Sequence, residues 1–302
     1  MKGRDSIAVV TATYNRKELL PRLYKSLTEQ SMQDFSWIIV DDGSKDGTKE
    51  YVQSIEHANI QIEYLQIDNG GKCRALNRVF ETYTEFELYV IVDSDDCLQP
   101  QALEKIKNTM VKYQRDRNIG GIFFRYINKE TQHIISAKKD YSGDTVIVSR
   151  LEHDETYGKY DGCIAYYNRA IKKYSYPEFQ NENYIGPIVL QLLMEPEFKI
   201  VFTKIIVGIA EYQQDGLSRT GRILRLRNPL GMICYCGFLQ QSSRIWVRIK
   251  YAMLAQAYRI FQHISPEELQ KANIPKATFP RYALLGGYVL AAYWKYKYKL
   301  LK

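Results

Sequence analysis

The sequence has no long apolar run and little that would stabilise a secreted domain. Its longest apolar stretch, "ALLGGYVLAAYW" at residues 283–294, is shorter than the roughly 20 residues that a helix needs to cross a bilayer. The first residues, "MKGRDSIAVV", contain no apolar core of a secretory signal. The five cysteines form no CxxC pair, so neither a disulfide framework nor a zinc site is indicated. These absences predict a cytoplasmic protein with free thiols.

Two common nucleotide-binding motifs are also missing. No Gly-x-Gly-x-x-Gly follows a predicted strand, and no Gly-x-x-x-x-Gly-Lys is followed by Ser or Thr. Dinucleotide chemistry of the Rossmann type and P-loop chemistry are therefore disfavoured. The chain does have 302 residues that are 45% hydrophobic, enough for a large core in one domain or in one domain with an appendage.

Charge is distributed unevenly along the chain. The net charge of +8 combines −5 for residues 1–218 with +13 from residue 219 onward, where 15 Lys and Arg accompany two acids. The basic part has a helical pattern, with Trp and Tyr between the charged residues. This composition suits an anionic leaflet better than a solvated face or a nucleic-acid patch. We therefore predict peripheral association with the inner face of the cell membrane, and no nucleic-acid partner.

Strand-like and helical segments alternate in the first part of the chain. The strands contain "SIAVVTA", "FSWIIV", "IEYLQI" and "ELYVIV", and each ends in polar residues before a helix. This order predicts an α/β fold, with a mostly parallel Rossmann-like sheet flanked by helices. Ligands of such sheets bind beyond the carboxyl ends of the strands. We therefore expect the polar clusters at 11–15, 41–44, 68–72 and 93–96 to converge on one crevice.

The segment "YVIVDSDDCL" at residues 89–98 places three carboxylates directly after a strand that reads as buried. Asp96 alone could be a helix cap, but Asp93, Asp95 and Asp96 together repel one another and favour a cation. Hard oxygen ligands suit Mg²⁺ or Mn²⁺. A calcium loop is disfavoured because a leucine replaces its required glycine. A phosphatase of the haloacid dehalogenase type usually has Thr or Val where this chain has Cys97.

The loop "VDDGSKDGT" at residues 40–48 is the second signal. Its residues are common in plain turns, but two adjacent carboxylates at the mouth of a sheet are good acceptors for a base N–H or ribose hydroxyls. Together with "VVTATYNRKELL", "NGGKCRALNRV" and "YVIVDSDDCLQP", in this order, it resembles the family 2 glycosyltransferases, which have the GT-A fold. The domains implied are a GT-A domain at 1–218, with a nucleotide-sugar-binding half at 1–115 and an acceptor-binding half at 116–218, and a basic, Tyr-rich helical region at 219–302.

The resemblance also implies a reaction. The donor would be a nucleoside diphosphate sugar, most often UDP-linked, with a divalent metal on its diphosphate. Transfer would invert the anomeric carbon and extend a glycan or lipid-linked acceptor in cell-surface polysaccharide biosynthesis. In the Asp-x-Asp motif, Asp93 would face ribose or sugar, while Asp95 or Asp96 would hold the metal. The implied donor-binding residues are Thr11, Ala12, Thr13, Tyr14, Asn15, Asp42, Lys72, Asp93 and Ser94.

The segment "FQNENYIGP" at residues 179–187 lies where relatives usually carry an acidic pair that deprotonates the acceptor hydroxyl. Glu182 is kept and is the predicted general base; its other interpretation is a helix N-terminal acid stabilised by the macrodipole. The segment "EYQQDGLSRTGR" at residues 211–222 resembles the family's closing segment, although it could be a plain turn. The implied contacts to acceptor or diphosphate are Asn183, Asp215, Ser218 and Arg219.

Two other functions remain open from the sequence. A metal-dependent phosphohydrolase could use Asp93 and Asp95, but it would give no role to Asp42 or Glu182. A catalytically inactive relative that binds sugar nucleotides is consistent with Asn183, which leaves a single ionisable group in the acidic pair. The sequence does not indicate which sugar is transferred, since specificity in such folds lies in variable loops.

Overall fold

Strands and helices alternate in the first part of the chain, as expected for an α/β fold. The protein is seen in a computed structural model that describes residues 7–55, 60–134, 139–211 and 217–298, without the side chains of 217–220. The strands are β1 Ile7–Thr13, β2 Ser36–Asp41, β3 Gln61–Gln66, β4 Leu88–Ile91, β5 Cys97–Leu98, β6 Ile119–Asn128, β7 Thr145–Val148, β8 Gly162–Tyr167 and β9 Lys199–Ala210. The helices are α1 Leu20–Thr28, α2 Thr48–Ser54, α3 Lys72–Thr82, α4 Ala102–Tyr113, α5 Arg150–Thr156, α6 Asn168–Ile171, α7 Val189–Met194, α8 Leu217–Arg227, α9 Pro229–Leu239, α10 Ile245–Phe261, α11 Pro266–Lys271 and α12 Leu284–Lys297.

The chain forms two compact units. The first contains Met1–Ser175 and Leu193–Gln213, and the second contains Tyr176–Leu192 and Gln214–Lys302. The division predicted at residue 218 stays a prediction, because the observed units are not continuous in sequence. The segment 176–192, which the sequence predicts to be part of the acceptor-binding half, belongs to the same compact unit as the C-terminal helices.

The strands of the described residues form one sheet in the first unit. Their order is β3-β2-β1-β4-β8-β6-β9-β5, and β7 also pairs with β9. Strands β3, β2, β1 and β4 are parallel, as predicted. Beyond β4 the sheet is mixed, since β8 runs antiparallel to both β4 and β6. The start of β8 lies beside the end of β6, since Tyr126, near the end of β6, donates its N–H to the Asp161 carbonyl just before β8, at 3.2 Å. The two strands therefore run in opposite directions.

The central parallel strands are buried on both faces. Every residue of β2 and β4 is buried, including Trp37, whose side chain is fully enclosed. Helix α1 packs its apolar residues Leu20, Leu23 and Leu27 into the same core. Parallel strands covered by helices on both faces have continuous apolar sequences of this kind. The loops that leave these strands at their carboxyl ends are therefore attached to a rigid base.

The second unit is helical. Its core includes Ile233 of α9, Tyr258 of α10 and Trp294 of α12, all buried. The Tyr258 and Trp294 rings lie 4.9 Å apart between centroids, and Arg222 donates from Nη1 to the Tyr258 hydroxyl at 3.0 Å. Among the residues that the structure describes, no helix has both the length and the apolar character needed to span a bilayer.

Gly162 is the tightest position in the sheet of the first unit. It pairs with Arg125 of β6, and a Cβ added there would lie 1.9 Å from the carbonyl oxygen of Phe124. The backbone has to move to accept a side chain, so we expect Gly162→Ala to lower the free energy of unfolding by about 1–3 kcal/mol. Chemical denaturation followed by circular dichroism measures this difference.

The control for this substitution is Gly143→Ala. A Cβ at Gly143 would meet only the carbonyl oxygen of Thr145, at an ordinary contact distance of 3.7 Å. We expect this variant to unfold at the wild-type denaturant concentration. Equal midpoints for the two variants would show that the β6–β8 pair is not as close as described.

Candidate active site

The loops after β1 and β2 are joined by Asn15. Its backbone N–H donates to the Ser44 hydroxyl and its side-chain oxygen accepts from the Lys45 N–H, both at 2.8 Å. Asn15 has a φ of +50°, a region that asparagine tolerates better than most residues. In the same loop Tyr14 is exposed, and the buried Thr13 hydroxyl has no hydrogen-bond partner among the described residues. The loop thus offers an open aromatic ring and an unpaired hydroxyl.

Two buried polar residues near this loop have structural partners. Thr11 accepts from the Trp37 indole N–H at 3.1 Å, inside the sheet. Asp41, at the end of β2, accepts from the Ser44 N–H at 2.8 Å and from the Tyr64 hydroxyl at 2.5 Å. One carboxylate oxygen of Asp41 therefore holds the turn after β2, and the other connects the end of β2 to Tyr64 of β3.

Asp42 connects the β2 loop to the "NGG" loop before α3. Its Oδ1 accepts from the Gly70 N–H at 2.7 Å, and its Oδ2 accepts from the Gly71 N–H at 2.8 Å and from Asn69 Nδ2 at 3.1 Å. The carboxylate is buried, and burial raises its pKa despite these donors. Since each carboxylate oxygen has two acceptor positions, Oδ1 has one position left for a further N–H.

The three acidic residues of the turn after β4 are brought together. One carboxylate oxygen from each of Asp93, Asp95 and Asp96 lies within 4.8 Å of the others, and the Asp96 N–H donates to the Asp93 carbonyl at 3.1 Å. We call residues 93–96 the metal turn. Burial, followed by the nearby charge of Asp93, raises the pKa of both Asp95 and Asp96. The charge of Asp93 thus makes ionisation of Asp95 and Asp96 harder, which a cation would relieve.

Lys72, at the start of α3, forms an ion pair with Asp93. Burial alone would lower the pKa of Lys72, but the charge of Asp93 and its hydrogen bond raise it above the ordinary value. Lys72 therefore stays charged at neutral pH. Lys72 and Asp93, both predicted donor-binding residues, are in direct contact.

An unpaired hydroxyl lies close to the metal turn. Tyr126 is almost fully buried, and its Oη has no hydrogen-bond partner among the described residues, although the Cys163 thiol is near. Burial raises the pKa of Tyr126, and further contributions come from Cys163 and from the charges of Asp96, Asp93 and Asp161. Three carboxylates and a nearby unpaired hydroxyl fit a hydrated divalent cation such as Mg²⁺ or Mn²⁺.

Glu182 belongs to the second unit, and its carboxylate lies against the first turn of α9. Its Oε1 accepts from the Leu230 N–H at 2.7 Å and its Oε2 from the Gly231 N–H at 2.8 Å. Burial raises the pKa of Glu182 to about 7, even though both N–H groups favour the charged form. Asn183 is exposed, and its N–H donates to the Asn228 side chain at 2.8 Å. Glu182 lies outside the helices and caps the start of α9, which is distant from it in sequence.

The remaining predicted site residues are placed as follows. Ala12 is partly buried within β1, and Ser94 is buried in the metal turn. Asp215 lies outside the described residues, as do the side chains of Ser218 and Arg219, whose backbone belongs to α8.

Several residues of the site were not singled out by the sequence. Asn69 and Tyr126 contact or approach predicted residues, and Arg22 of α1 donates to the Asp95 carbonyl. Asn69 could have been found from the "NGG" motif, because a loop that surrounds the Asp42 carboxylate also brings its own side chains close to it. Arg22 and Tyr126 carry no local signal, because their contacts depend on how α1 and β6 pack.

Comparison with known proteins shows the family of this chain. Residues 8–175, more than half of the chain, match the family described as glycosyl transferase family 2. The teichoic acid poly(glycerol phosphate) polymerase of Staphylococcus epidermidis is 32% identical over 35% of this chain and 15% of its own length. The GalNAc(5)-diNAcBac-PP-undecaprenol beta-1,3-glucosyltransferase of Campylobacter jejuni is 31% identical over 33% of this chain and 33% of its own length. The chain thus spans a third or less of these relatives.

A solved structure covers nearly the whole chain. Residues 1–349 of S. aureus TarS, in complex with UDP-GlcNAc, superpose with a TM-score of 0.66 over 97% of this chain and 91% of that chain, at 13% identity. At this identity the likeness shows the fold, and it confirms the predicted GT-A architecture. The resemblance found in the sequence motifs is confirmed as well: the chain belongs to glycosyl transferase family 2.

Proposed function

We propose that this protein is an inverting, metal-dependent glycosyltransferase that moves a sugar from a nucleoside diphosphate donor, most often UDP-linked in this family, to a hydroxyl of a glycan or lipid-linked acceptor in cell-surface polysaccharide biosynthesis. The observation that carries this proposal is the gathering of Asp93, Asp95 and Asp96 within 4.8 Å at the carboxyl end of β4. The loops after β1 and β2 leave the same edge of the parallel sheet, where ligands of such sheets bind.

The nucleoside is expected against the loops after β1 and β2. Tyr14 offers an exposed ring for stacking, and Thr13 offers a buried hydroxyl without a partner among the described residues. Asp42 Oδ1, which accepts one N–H from Gly70, has room for one N–H from a base. A base with an N–H donor at its edge, such as uracil, satisfies this position.

The diphosphate is expected at the metal turn. A Mn²⁺ or Mg²⁺ ion held by Asp95 and Asp96 supplies charge neutralisation for the leaving diphosphate. Asp93, paired with Lys72, is directed to ribose or sugar. Lys72 keeps its positive charge at neutral pH and can also approach a phosphate oxygen as a point charge.

Glu182 is the proposed general base. A pKa of about 7 suits a group that must take a proton from a hydroxyl near neutral pH. Its two oxygens accept the N–H groups of Leu230 and Gly231 in the first turn of α9, which fixes the direction of the carboxylate. A base that takes the acceptor proton while the oxygen attacks opposite the leaving group produces inversion.

Glu182→Gln tests this role directly. We expect sugar transfer to fall by a factor of roughly 10² or more, the usual range for loss of a general base, while donor binding is retained. In the wild type, the rate should rise with pH through about 7, because the carboxylate must be ionised to accept the proton. Transfer is measured with a panel of nucleotide sugars and Mn²⁺, and donor binding by calorimetry.

Glu178→Gln is the matched control, since Glu178 is an exposed acid four residues before Glu182. We expect it to transfer sugar at the wild-type rate. Full turnover by Glu182→Gln would remove Glu182 from the mechanism and leave it only as the cap of α9.

The capping contacts favour a second candidate function, a catalytically inactive relative that binds sugar nucleotides. Both Glu182 oxygens already accept backbone N–H groups, and Asn183 cannot act as a base. Such a protein would bind a donor with Mn²⁺ but would neither transfer the sugar nor slowly hydrolyse the donor. No observation favours the phosphohydrolase over these two.

Asp42→Asn tests the nucleoside site. The amide replaces one acceptor oxygen with an N–H₂ donor that meets the Gly70 or Gly71 N–H. Since hydrogen bonds to a charged group contribute about 1.5–3 kcal/mol, we expect UDP to bind roughly 10- to 100-fold more weakly. Calorimetry with UDP measures this.

Asp68→Asn, an exposed position in the adjoining loop, should bind like the wild type; equal losses in both variants would contradict a specific role for Asp42.

Peripheral binding to an anionic membrane surface is proposed for the C-terminal unit. The exposed side of α12, which we call the α12 face, consists of large apolar and aromatic residues, while the opposite side is buried through Gly287, Ala291 and Trp294. At about 100° per residue, Lys295 and Lys297 flank this face on its two sides. Basic residues beside an aromatic surface suit anionic headgroups. The α12 face is Leu285, Tyr288, Val289, Tyr293 and Tyr296.

Val289→Asp tests the α12 face, with Val111→Asp as a matched control. Both valines are exposed on helices, at 65% and 59%, but Val111 lies on α4 of the first unit. Because burial of one apolar side chain contributes about 1.5–3 kcal/mol, we expect Val289→Asp to bind phosphatidylglycerol vesicles roughly tenfold more weakly or worse, in a co-sedimentation assay. Wild-type binding should weaken with added salt. Equal binding by the two variants would refute this membrane contact.

A further inference from the structure

We propose that Arg22 of α1 is a positioning residue for the metal turn, an inference that rests on the metal site of the proposed function. Its Nη2 donates to the backbone carbonyl of Asp95 at 2.5 Å, and its Nη1 donates to the carboxylate of Glu211. Glu211 also accepts from Lys129 at 2.8 Å. One guanidinium thus links the centre of the metal turn to the residue that follows β9.

Few other hydrogen bonds of the described residues hold the metal turn near Asp95. Within the described residues, its own backbone closes with the Asp96 N–H on the Asp93 carbonyl. The chain then leaves through β5, which has only two residues, paired with Gly208 and Ile209 of β9. The Asp95 peptide lies between the two predicted metal ligands. Rotation of that peptide would move both side chains, so a donor on its carbonyl limits where their carboxylates can point.

Helix α1 holds the exit of the turn as well as its centre. The Leu98 N–H donates to the Ser26 hydroxyl at 3.2 Å, and the Cys97 thiol approaches the Arg22 carbonyl at 3.8 Å. Contacts one turn apart on α1 therefore meet consecutive residues of β5. The helix is itself fixed by its buried leucines, so it is a firm support for the side chain of Arg22.

The choice of partner matters for the chemistry. Arg22 donates to a carbonyl of the metal turn and directs its other N–H group to Glu211, which is outside the turn. It can thus fix the turn without occupying a carboxylate that a cation needs. The guanidinium fork can satisfy two acceptors at a fixed angle, whereas the ammonium of a lysine is a point charge and does not reproduce that geometry.

The test compares Arg22→Met, Arg22→Lys and Glu211→Gln with the wild type. Residues that orient metal ligands without touching the metal typically change affinity by about 10- to 100-fold. We expect Arg22→Met to bind Mn²⁺ about tenfold more weakly in the presence of UDP, with Arg22→Lys and Glu211→Gln between it and the wild type. Free Mn²⁺ is measured by electron paramagnetic resonance, and thermal unfolding is measured on the same samples.

Arg78→Met is the matched control. Arg78 also forms an ion pair, with Glu81 at 2.7 Å, but on the surface of α3. We expect it to bind Mn²⁺ like the wild type. If Arg22→Met also matches the wild type, the positioning role is wrong while the proposed function stands. If the wild type itself binds no Mn²⁺ with UDP, the proposed metal site fails, and this inference fails with it.

Two further outcomes separate positioning from general stability. A lower melting temperature with unchanged Mn²⁺ affinity in Arg22→Met would give Arg22 a structural role only, and would overturn the proposal. Should Arg22→Met fail to fold, the two milder variants decide: weaker Mn²⁺ binding at an unchanged melting temperature supports positioning, and wild-type affinity in both overturns it.

Discussion

The structure depends on holding three carboxylates together against their mutual repulsion. Asp93, Asp95 and Asp96 lie within 4.8 Å of one another, partly buried at the end of a strand. Two unit charges about 4 Å apart repel by about 4 kcal/mol at the effective dielectric constant of a protein surface. A mobile loop would relieve that repulsion by spreading. The turn stays closed because β4 is paired with β1 and β8 and is buried along its length.

The positive groups around this site are arranged so that ligand positions remain open. Lys72 forms an ion pair with Asp93, the carboxylate proposed to face ribose or sugar. Arg22 donates a hydrogen bond to the Asp95 carbonyl and not to a carboxylate of the turn. Asp42 is held by backbone N–H groups of a glycine loop, and the charge of Arg74 also favours its ionised form. Charge is thus balanced in part by dipoles and by backbone contacts, which leave Asp95 and Asp96 available to a metal.

Much of the first unit could be predicted from the sequence, because its signals are local. The apolar runs before "DDGS" and "DSDD" are strands, and parallel strands place their carboxyl-end loops together. The contact between Lys72 and Asp93, from loops far apart in sequence, follows from that rule. The mixed part of the sheet could not be predicted in this way. Whether β8 runs parallel or antiparallel depends on where the long segment after β6 brings the chain back to the sheet.

What the sequence could not predict depends on packing between distant segments. The segment 176–192 carries a family motif, yet it belongs to the unit of the C-terminal helices. Glu182 accepts the Gly231 N–H of α9, and the Asn183 N–H donates to the Asn228 side chain just before α9. Nothing local in "FQNENYIGP" indicates a partner some 50 residues later. Arg22 is a similar case: its position on the polar side of an amphipathic helix predicts exposure, not a contact with the metal turn.

Glu182 shows how one environment can serve two roles. Burial raises the pKa of Glu182 to about 7, and the N–H groups of Leu230 and Gly231, which favour the charged carboxylate, offset only part of this rise. A cap in water would stay fully ionised at neutral pH and would be a weak base. A buried acid without donors would stay protonated and could not accept a proton. Because burial outweighs the N–H groups only in part, the pKa lies near neutral pH, where Glu182 can be ionised and still take up a proton readily. The helix cap is therefore compatible with the proposed catalytic role, and it would supply the orientation that a base requires.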